Sequence, residues 1–180
     1  MDYNIMEYGA VADGTTNNSE AIQAAVDACT EAGGGRVIIP TGRFLSGTIV
    51  LKSNVTLYLE KGAELISSLR KEDILDFFGN SEFEDPSEAT GWEGGCFLCA
   101  LHEHDISILG EGTIYGQGDQ VFYDDGADGG IGECPKNANM EDRPRTTYFE
   151  DVENLTVRGI TFRDAAFWTL HMAGCRHVLV

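Results

Sequence analysis

The sequence predicts an all-β protein: a right-handed, single-stranded parallel β-helix with one capping α-helix at its N-terminus. Three observations carry this reading. TTYFEDVENLTV at 146–157 overlays TLHMAGCRHVLV at 169–180 with an offset of 23 residues and no gap. FLCALHEHDISILGEGTIYG at 97–116 overlays residues 146–165 with an offset of 49. A single amphipathic helix precedes both copies.

The repeated unit is a polar residue, then apolar–polar–apolar, then glycine, then a second short strand. Asp105 meets Asn154, Ile106 meets Leu155, Ile108 meets Val157 and Gly110 meets Gly159. At the shorter offset Tyr148 meets His171, Phe149 meets Met172 and Leu155 meets Val178. An earlier copy is NVTLYL at 54–59, followed by Gly62. Alternation over four to six residues is strand alternation. A period of 20 to 30 residues made of short strands and glycine turns indicates a solenoid. One coil cannot bury its apolar face alone, so coils stack and share a core. A β-sandwich also has short strands and turns, but it does not require this repeating unit. The longer spacing comes from insertions near 69–95 and 118–142.

The helix is expected over 19–30. Asn18 or Ser19 can cap its start, Ile22, Ala25, Val26 and Cys29 make one apolar face, and Gly33–Gly35 end it. Laid across the first coil, it would cover an apolar end and unpaired strand edges. The last strand, 177–180, carries Val178, Leu179 and Val180 with no such cover, so the solenoid reads as truncated at its C-terminal end. End-to-end self-association through that strand is expected.

The length of 180 residues fits one incomplete domain, 1–180, with a cap region at 1–45 and coils over 46–180. A net charge of −18 argues against nucleic acid or an anionic membrane as partner. It also means that an acidic sugar would need local Arg or Lys contacts. No apolar run has membrane length, and Met1–Gly14 lacks the basic start and apolar core of a secretory leader. The expectation is a cytoplasmic protein, or a secreted one whose leader has been removed. Five cysteines give no disulfide framework.

The N-terminal stretch YGAVADGTTNNSEAIQAAVDAC with GGRVIIPTGRF resembles the opening of the pectate-lyase-like β-helix superfamily. Hydrolases, lyases, epimerases and phage tailspikes share that opening. GEGTIYGQG at 110–118, Arg143-Pro144 and NLTVRGITFRDAAFWTLHMAGCRHVLV at 154–180 resemble glycoside hydrolase family 28, the polygalacturonase family, in its N-terminal portion. The resemblance implies hydrolysis of galacturonosidic bonds in pectin-type polysaccharide, with inversion and two carboxylates about 6.5–9.5 Å apart. It also implies catalytic aspartates in Asn-Thr-Asp and Asp-Asp motifs, followed by Gly-His-Gly and Arg-Ile-Lys. Neither Asn-Thr-Asp, Gly-His-Gly nor Arg-Ile-Lys occurs in this chain. Asp124-Asp125 precedes the Arg-Pro motif, the wrong order, and reads as a solvated acidic loop. No catalytic residue is therefore assigned, and the 180-residue chain by itself is expected to be inactive. The alternatives are a tailspike-like or otherwise non-catalytic β-helix, and a polysaccharide lyase of the same superfamily.

Four residues are candidates for substrate binding. Trp168 and His171 match the family's Trp-x-x-His pattern; an indole suits a sugar face and an imidazole can donate to a hydroxyl or carboxylate. Arg143 and Arg145 suit a uronate carboxylate, which pairs with a guanidinium fork. Asp164 is a weaker cleft candidate. Cys96, Cys99, His102 and His104 suggest zinc by residue type, but the strand repeat turns alternate side chains to opposite faces. They read as strand core with turn histidines. No metal and no cofactor are expected, and the expected partner is a polysaccharide.

Overall fold

The structure, a computed structural model, describes residues 1–75, 95–124, 131–133 and 143–180. Along the chain come β1 (Asp2–Asn4), β2 (Asp13–Asn17), α1 (Ser19–Glu31), β3 (Gly35–Ile39), β4 (Gly42–Ser46) and β5 (Ile49–Val50). Next are β6 (Val55–Leu59), β7 (Ala63–Ser67), β8 (Cys96–Leu101), β9 (His104–Gly110) and β10 (Thr113–Tyr115). Then follow β11 (Phe122–Asp124), β12 (Ile131–Glu133), β13 (Arg145–Glu150), β14 (Glu153–Arg158), β15 (Thr161–Arg163), β16 (His171–Ala173) and β17 (Arg176–Leu179).

Three parallel sheets form the walls of a right-handed β-helix. Sheet A runs β1-β3-β6-β9-β14-β17, sheet B runs β15-β10-β7-β4-β2, and sheet C runs β16-β13-β8-β5. The pair β11–β12 is antiparallel and stands outside these walls, within the second insertion. Much of both insertions, 76–94 and 125–142 apart from β12, lies outside the described residues.

The two offsets are the register of the sheets. Leu155 pairs with Ile106, a step of 49, and with Val178, a step of 23. Tyr148 pairs with Cys99 and His171 at the same two steps. Inward residues therefore stack in columns: Val37, Leu57, Ile108 and Val157 in sheet A, and Phe44, Leu65, Ile114 and Phe162 in sheet B. All but Phe162, which packs against the cluster partly buried, are buried in one core.

Sheet B departs from the ungapped overlay by one residue. There Ile114 pairs with Phe162, a step of 48. The overlay would have set Ile114 against Arg163 and driven a guanidinium inward, because a slip of one reverses every side chain. Between the aligned glycines and the next strand, Gly110 is followed by Glu111-Gly112 but Gly159 by Ile160 alone, and this missing residue restores the apolar column.

The polar residue that opens each sheet A strand has a common backbone geometry. Asn54, Asp105, Asn154 and His177 all have positive φ, at 65°, 54°, 61° and 54°. Gly34, one coil earlier, has φ 113° and a Cβ there would lie 2.6 Å from the Asn54 carbonyl oxygen. Asn and Asp tolerate this left-handed region best among side-chain-bearing residues. Asn154 also donates from Nδ2 to Asp105 Oδ1 at 2.9 Å, linking two coils.

The helix α1 buries Ile22, Ala25, Val26 and Cys29 in the core, the face read from sequence. Its start differs from expectation. Asn18 is the N-cap residue but makes no side-chain cap; its amide bonds the carbonyls of Val11, Thr16 and Leu45 instead. Asn17 Oδ1 accepts from the Ser19 amide at 2.9 Å. The helix also covers the strand edges only in part. Sheets A and B begin with the short strands β1 and β2, while α1 lies along the edge of sheet C. There Gln23 imitates a strand: its Nε2 donates to the Val50 carbonyl at 3.0 Å and its Oε1 accepts from the Val50 amide at 2.9 Å.

The inward columns predict a sharp contrast between adjacent residues of β6. Leu57→Ala should cost about 2–5 kcal/mol in chemical denaturation, as a fully buried leucine with core neighbours above and below. Thr56→Ala, on the outer face, should change stability by no more than about 0.5 kcal/mol. Equal costs at the two positions would contradict the assigned register.

Candidate functional site

Sheet C positions the site. Its inner face sends Leu98, Ala100 and Phe149 into the main core. Its outer face carries Cys96, Cys99 and Tyr148, which form a separate buried cluster with Val50 and Ala173 against it. Alternation along β13 puts Glu150 on the same face as Tyr148. Register with β16 places His171 beside Tyr148, and the segment between β15 and β16 carries Phe167 and Trp168.

The four residues read from sequence come together here. The Arg145 guanidinium lies 5.1 Å from the Phe167 ring centroid and 5.8 Å from that of Trp168. Arg143 lies 5.8 Å from Phe167. Trp168 and His171 have ring centroids 4.4 Å apart, tilted by 54°. Arg143 and Arg145 are only 8% and 4% exposed, whereas Trp168 is 53% exposed. The arrangement is a cationic floor behind an open aromatic face. Guanidinium groups stack on aromatic planes and keep their charge at any working pH.

His171 is held neutral. Burial, and then the nearby Arg145 charge, push its pKa down to about 4. A neutral imidazole offers one N–H donor and one acceptor, which suits hydroxyl recognition.

Other candidates fall elsewhere. Asp164 has φ 45° and its carboxylate lies 3.5 Å from Arg163 Nε, in an ion pair at the sheet B side. Asp124 ends β11, and Asp125 lies outside the described residues. Contrary to the alternation expected from sequence, Cys96 and Cys99 share one buried cluster, while His102 faces Asp151 at 3.3 Å and His104 faces Asp105 at 2.9 Å. The four do not converge, and burial raises the Cys99 pKa well above the usual thiol value, opposite to what a thiolate ligand needs.

Two site residues escaped the sequence reading. Tyr148 and Glu150 are both fully buried, and the Tyr148 hydroxyl donates to Glu150 Oε2 at 2.6 Å. Tyr148 meets the His171 ring edge-on, with centroids 4.9 Å apart and planes at 70°. The signal was present, since the offset of 23 already set Tyr148 opposite His171.

Comparison with known proteins agrees with this architecture. Residues 3–64 match the family described as rhamnogalacturonase A/epimerase, pectate lyase-like. The chain has the parallel β-helix fold, and its N-terminal third is similar to the pectate-lyase-like family. It is 47% identical over 75 residues to an exo-poly-alpha-D-galacturonosidase of Dickeya chrysanthemi, a match covering 42% of this chain and 12% of that protein. It is 30% identical over 181 residues to plasmin and fibronectin-binding protein A of Streptococcus pneumoniae, covering 98% of this chain and 23% of that protein. The family 28 exopolygalacturonase of Yersinia enterocolitica superposes with a TM-score of 0.74 at 25% identity, over 99% of this chain and 37% of that one. The resemblance to glycoside hydrolase family 28 thus holds in sequence and structure, and the chain spans a minor part of the length of each of these relatives.

The shifted pKa of His171 gives a signed prediction. An unfolded histidine titrates near 6.5 and this one near 4, so between those values the unfolded chain binds a proton that the folded chain does not. Its contribution to stability is intact above about pH 6.5 and declines as pH falls toward 4. The loss should be about 1–2 kcal/mol, reduced from the full shift because the ring is partly open to solvent. NMR titration of the His171 ring should give a midpoint near 4, moving up in Trp168→Ala. A midpoint near 6.5 in the folded chain would refute the burial argument.

Proposed function

We propose that this pectate-lyase-like β-helix is the N-terminal part of a glycoside hydrolase acting on pectin-type polysaccharide. In this reading Arg143, Arg145, Trp168 and His171 form a subsite for an acidic sugar, and inverting hydrolysis by two carboxylates belongs to the whole enzyme. The observation that carries it is the Arg145 guanidinium, 4% exposed and set behind the open Trp168 indole. A uronate offers what such a site binds: a carboxylate for the guanidinium and an apolar ring face for the indole. The neutral His171 would bond a ring hydroxyl. The match to the Dickeya exo-poly-alpha-D-galacturonosidase and the likeness to the Yersinia exopolygalacturonase support the substrate class.

A second reading has its own support. The streptococcal relative is named as a plasmin- and fibronectin-binding protein, and its match runs along nearly the whole chain. A non-catalytic binding β-helix would use the same wall without chemistry.

Calorimetric titration with trigalacturonate and with a neutral galactose trisaccharide separates the readings. The 180-residue chain should bind the acidic trisaccharide, prefer it to the neutral one, and release no reducing sugar from polygalacturonate. Arg145→Ala should weaken binding about tenfold to a hundredfold, the worth of a charged hydrogen bond. Trp168→Ala, at an exposed position, should weaken it without unfolding the chain. Equal affinity for both sugars would remove the uronate reading, and retention of fibronectin instead would favour the second.

We also propose that this chain self-associates through β17. Val178 and Leu179 in that strand, and Val180 after it, are exposed. A net charge of −18 opposes the contact at low salt. Light scattering should therefore show association rising with ionic strength, as the Debye length shrinks to about 8 Å at physiological salt. Val178→Lys should suppress it, and a chain monomeric at high salt would exclude it.

A further inference from the structure

His171 stands between two rings of different character. Trp168 lies on its open side and Tyr148 on its buried side. The indole is half exposed, with solvent on one face. The phenol is fully buried, and its hydroxyl donates to Glu150 Oε2 at 2.6 Å. A hydrogen bond of that length to a carboxyl group is among the stronger neutral-donor bonds. It anchors the tip of the phenol, and complete burial confines the ring, so the edge that meets His171 has one position.

An imidazole lies near the other oxygen of Glu150. His102 Nε2 lies 3.9 Å from its Oε1, and His102 Nδ1 lies 3.3 Å from Asp151 Oδ2 in the next turn. A fully buried carboxyl group with one short hydrogen bond rarely changes rotamer, because each alternative gives that bond up. The row Glu150, Tyr148, His171 and Trp168 is thus fixed at its buried end and open at the other.

We infer that Tyr148 and Glu150 are positioning residues: Glu150 anchors the Tyr148 phenol, and the phenol sets the plane in which His171 presents its imidazole beside Trp168 to a bound sugar. The inference rests on the subsite reading above. Its chemical consequence is selectivity. A neutral imidazole has its donor and acceptor on opposite sides of the ring, so its plane decides which hydroxyl of a stacked sugar it meets. Arg145 recognises the carboxylate and the oriented His171 recognises the hydroxyl pattern, which separates one uronic acid from its epimers.

The test uses the full chain with trigalacturonate as probe and the His171 ring resonances as a second readout. Tyr148→Phe keeps the ring and removes the hydroxyl. Glu150→Leu fills the same space and removes the acceptor. Glu150→Gln keeps an acceptor. In the folded variants, Tyr148→Phe and Glu150→Leu should shift or broaden the His171 ring signals at pH 7 and weaken trigalacturonate binding about tenfold. Glu150→Gln should retain most of the wild-type behaviour on both. A merely stabilising pair would lower the melting temperature and leave the His171 signals in place, and that result in either folded variant overturns the inference. A wild-type chain that does not bind trigalacturonate refutes the uronate subsite. The ring signals then decide the positioning role alone, with movement in either folded variant supporting it.

Discussion

Everything in this molecule depends on the coils stacking in register. A parallel β-helix buries its core only if each inward side chain lies above another inward side chain. The side-chain period of a strand is two, so an error of one residue turns a whole strand inside out. The chain meets this constraint at the turns. Asn54, Asp105, Asn154 and His177 take the same left-handed conformation at the same place in successive coils. Left-handed backbone costs an ordinary residue about 1–2 kcal/mol, and Asn and Asp less. The bond from Asn154 to Asp105 offsets part of that cost, and the apolar columns from Val37 to Val157 offset the rest.

The same register builds the site. Arg145 and Tyr148 lie in β13, and His171 opens β16 one coil later. Strands neighbouring in a sheet lie about 4.8 Å apart, so residues 23 positions apart in sequence become neighbours at ring-contact distance. The rigid wall supplies that position, and the segment carrying Phe167 and Trp168 closes over it. Two functions are thus divided between two kinds of structure: precision comes from the strands and access from the connecting turn.

How much of this was legible depends on which physical rule dominates at each point. The offsets of 49 and 23 were readable because alternation and glycine turns leave a periodic trace, and they match the observed pairs Leu155–Ile106 and Leu155–Val178. The one-residue slip in sheet B was not, because glycine matching aligned Gly110 with Gly159 while the following turn differs in length. The buried face of α1 followed from its helical period, but the role of Asn18 did not: an asparagine before a helix usually caps it, and here tertiary carbonyls compete for the amide. Gln23 reads as an ordinary exposed helical residue until β5 is placed beside it. Arg143 and Arg145 were candidates on charge, and Trp168 and His171 on the family's Trp-x-x-His pattern; their convergence was visible only in the fold. Tyr148 and Glu150 were missed because a tyrosine and a glutamate on the outer face of a strand normally face water. Their complete burial is a property of the assembled wall.

The acidic-sugar subsite proposed for so acidic a chain would have to work against the chain's own field. The net charge of −18 creates a long-range field that repels a polyanion. That field acts over the Debye length, about 8 Å at physiological salt, and so it slows encounter more than it weakens contact. Within the site the balance is local. The rings of Phe167 and Trp168 lower the dielectric around the Arg145 guanidinium, and attraction between fixed charges strengthens as water is displaced. The same low-dielectric surroundings keep His171 neutral, so no third cation forms beside the two arginines and the imidazole remains available for a hydroxyl. Repulsion at a distance and attraction at contact favour a ligand whose charge arrives together with a shape that fits. A sugar carboxylate with its ring stacked on Trp168 meets both conditions, whereas a free anion of the same charge meets only one.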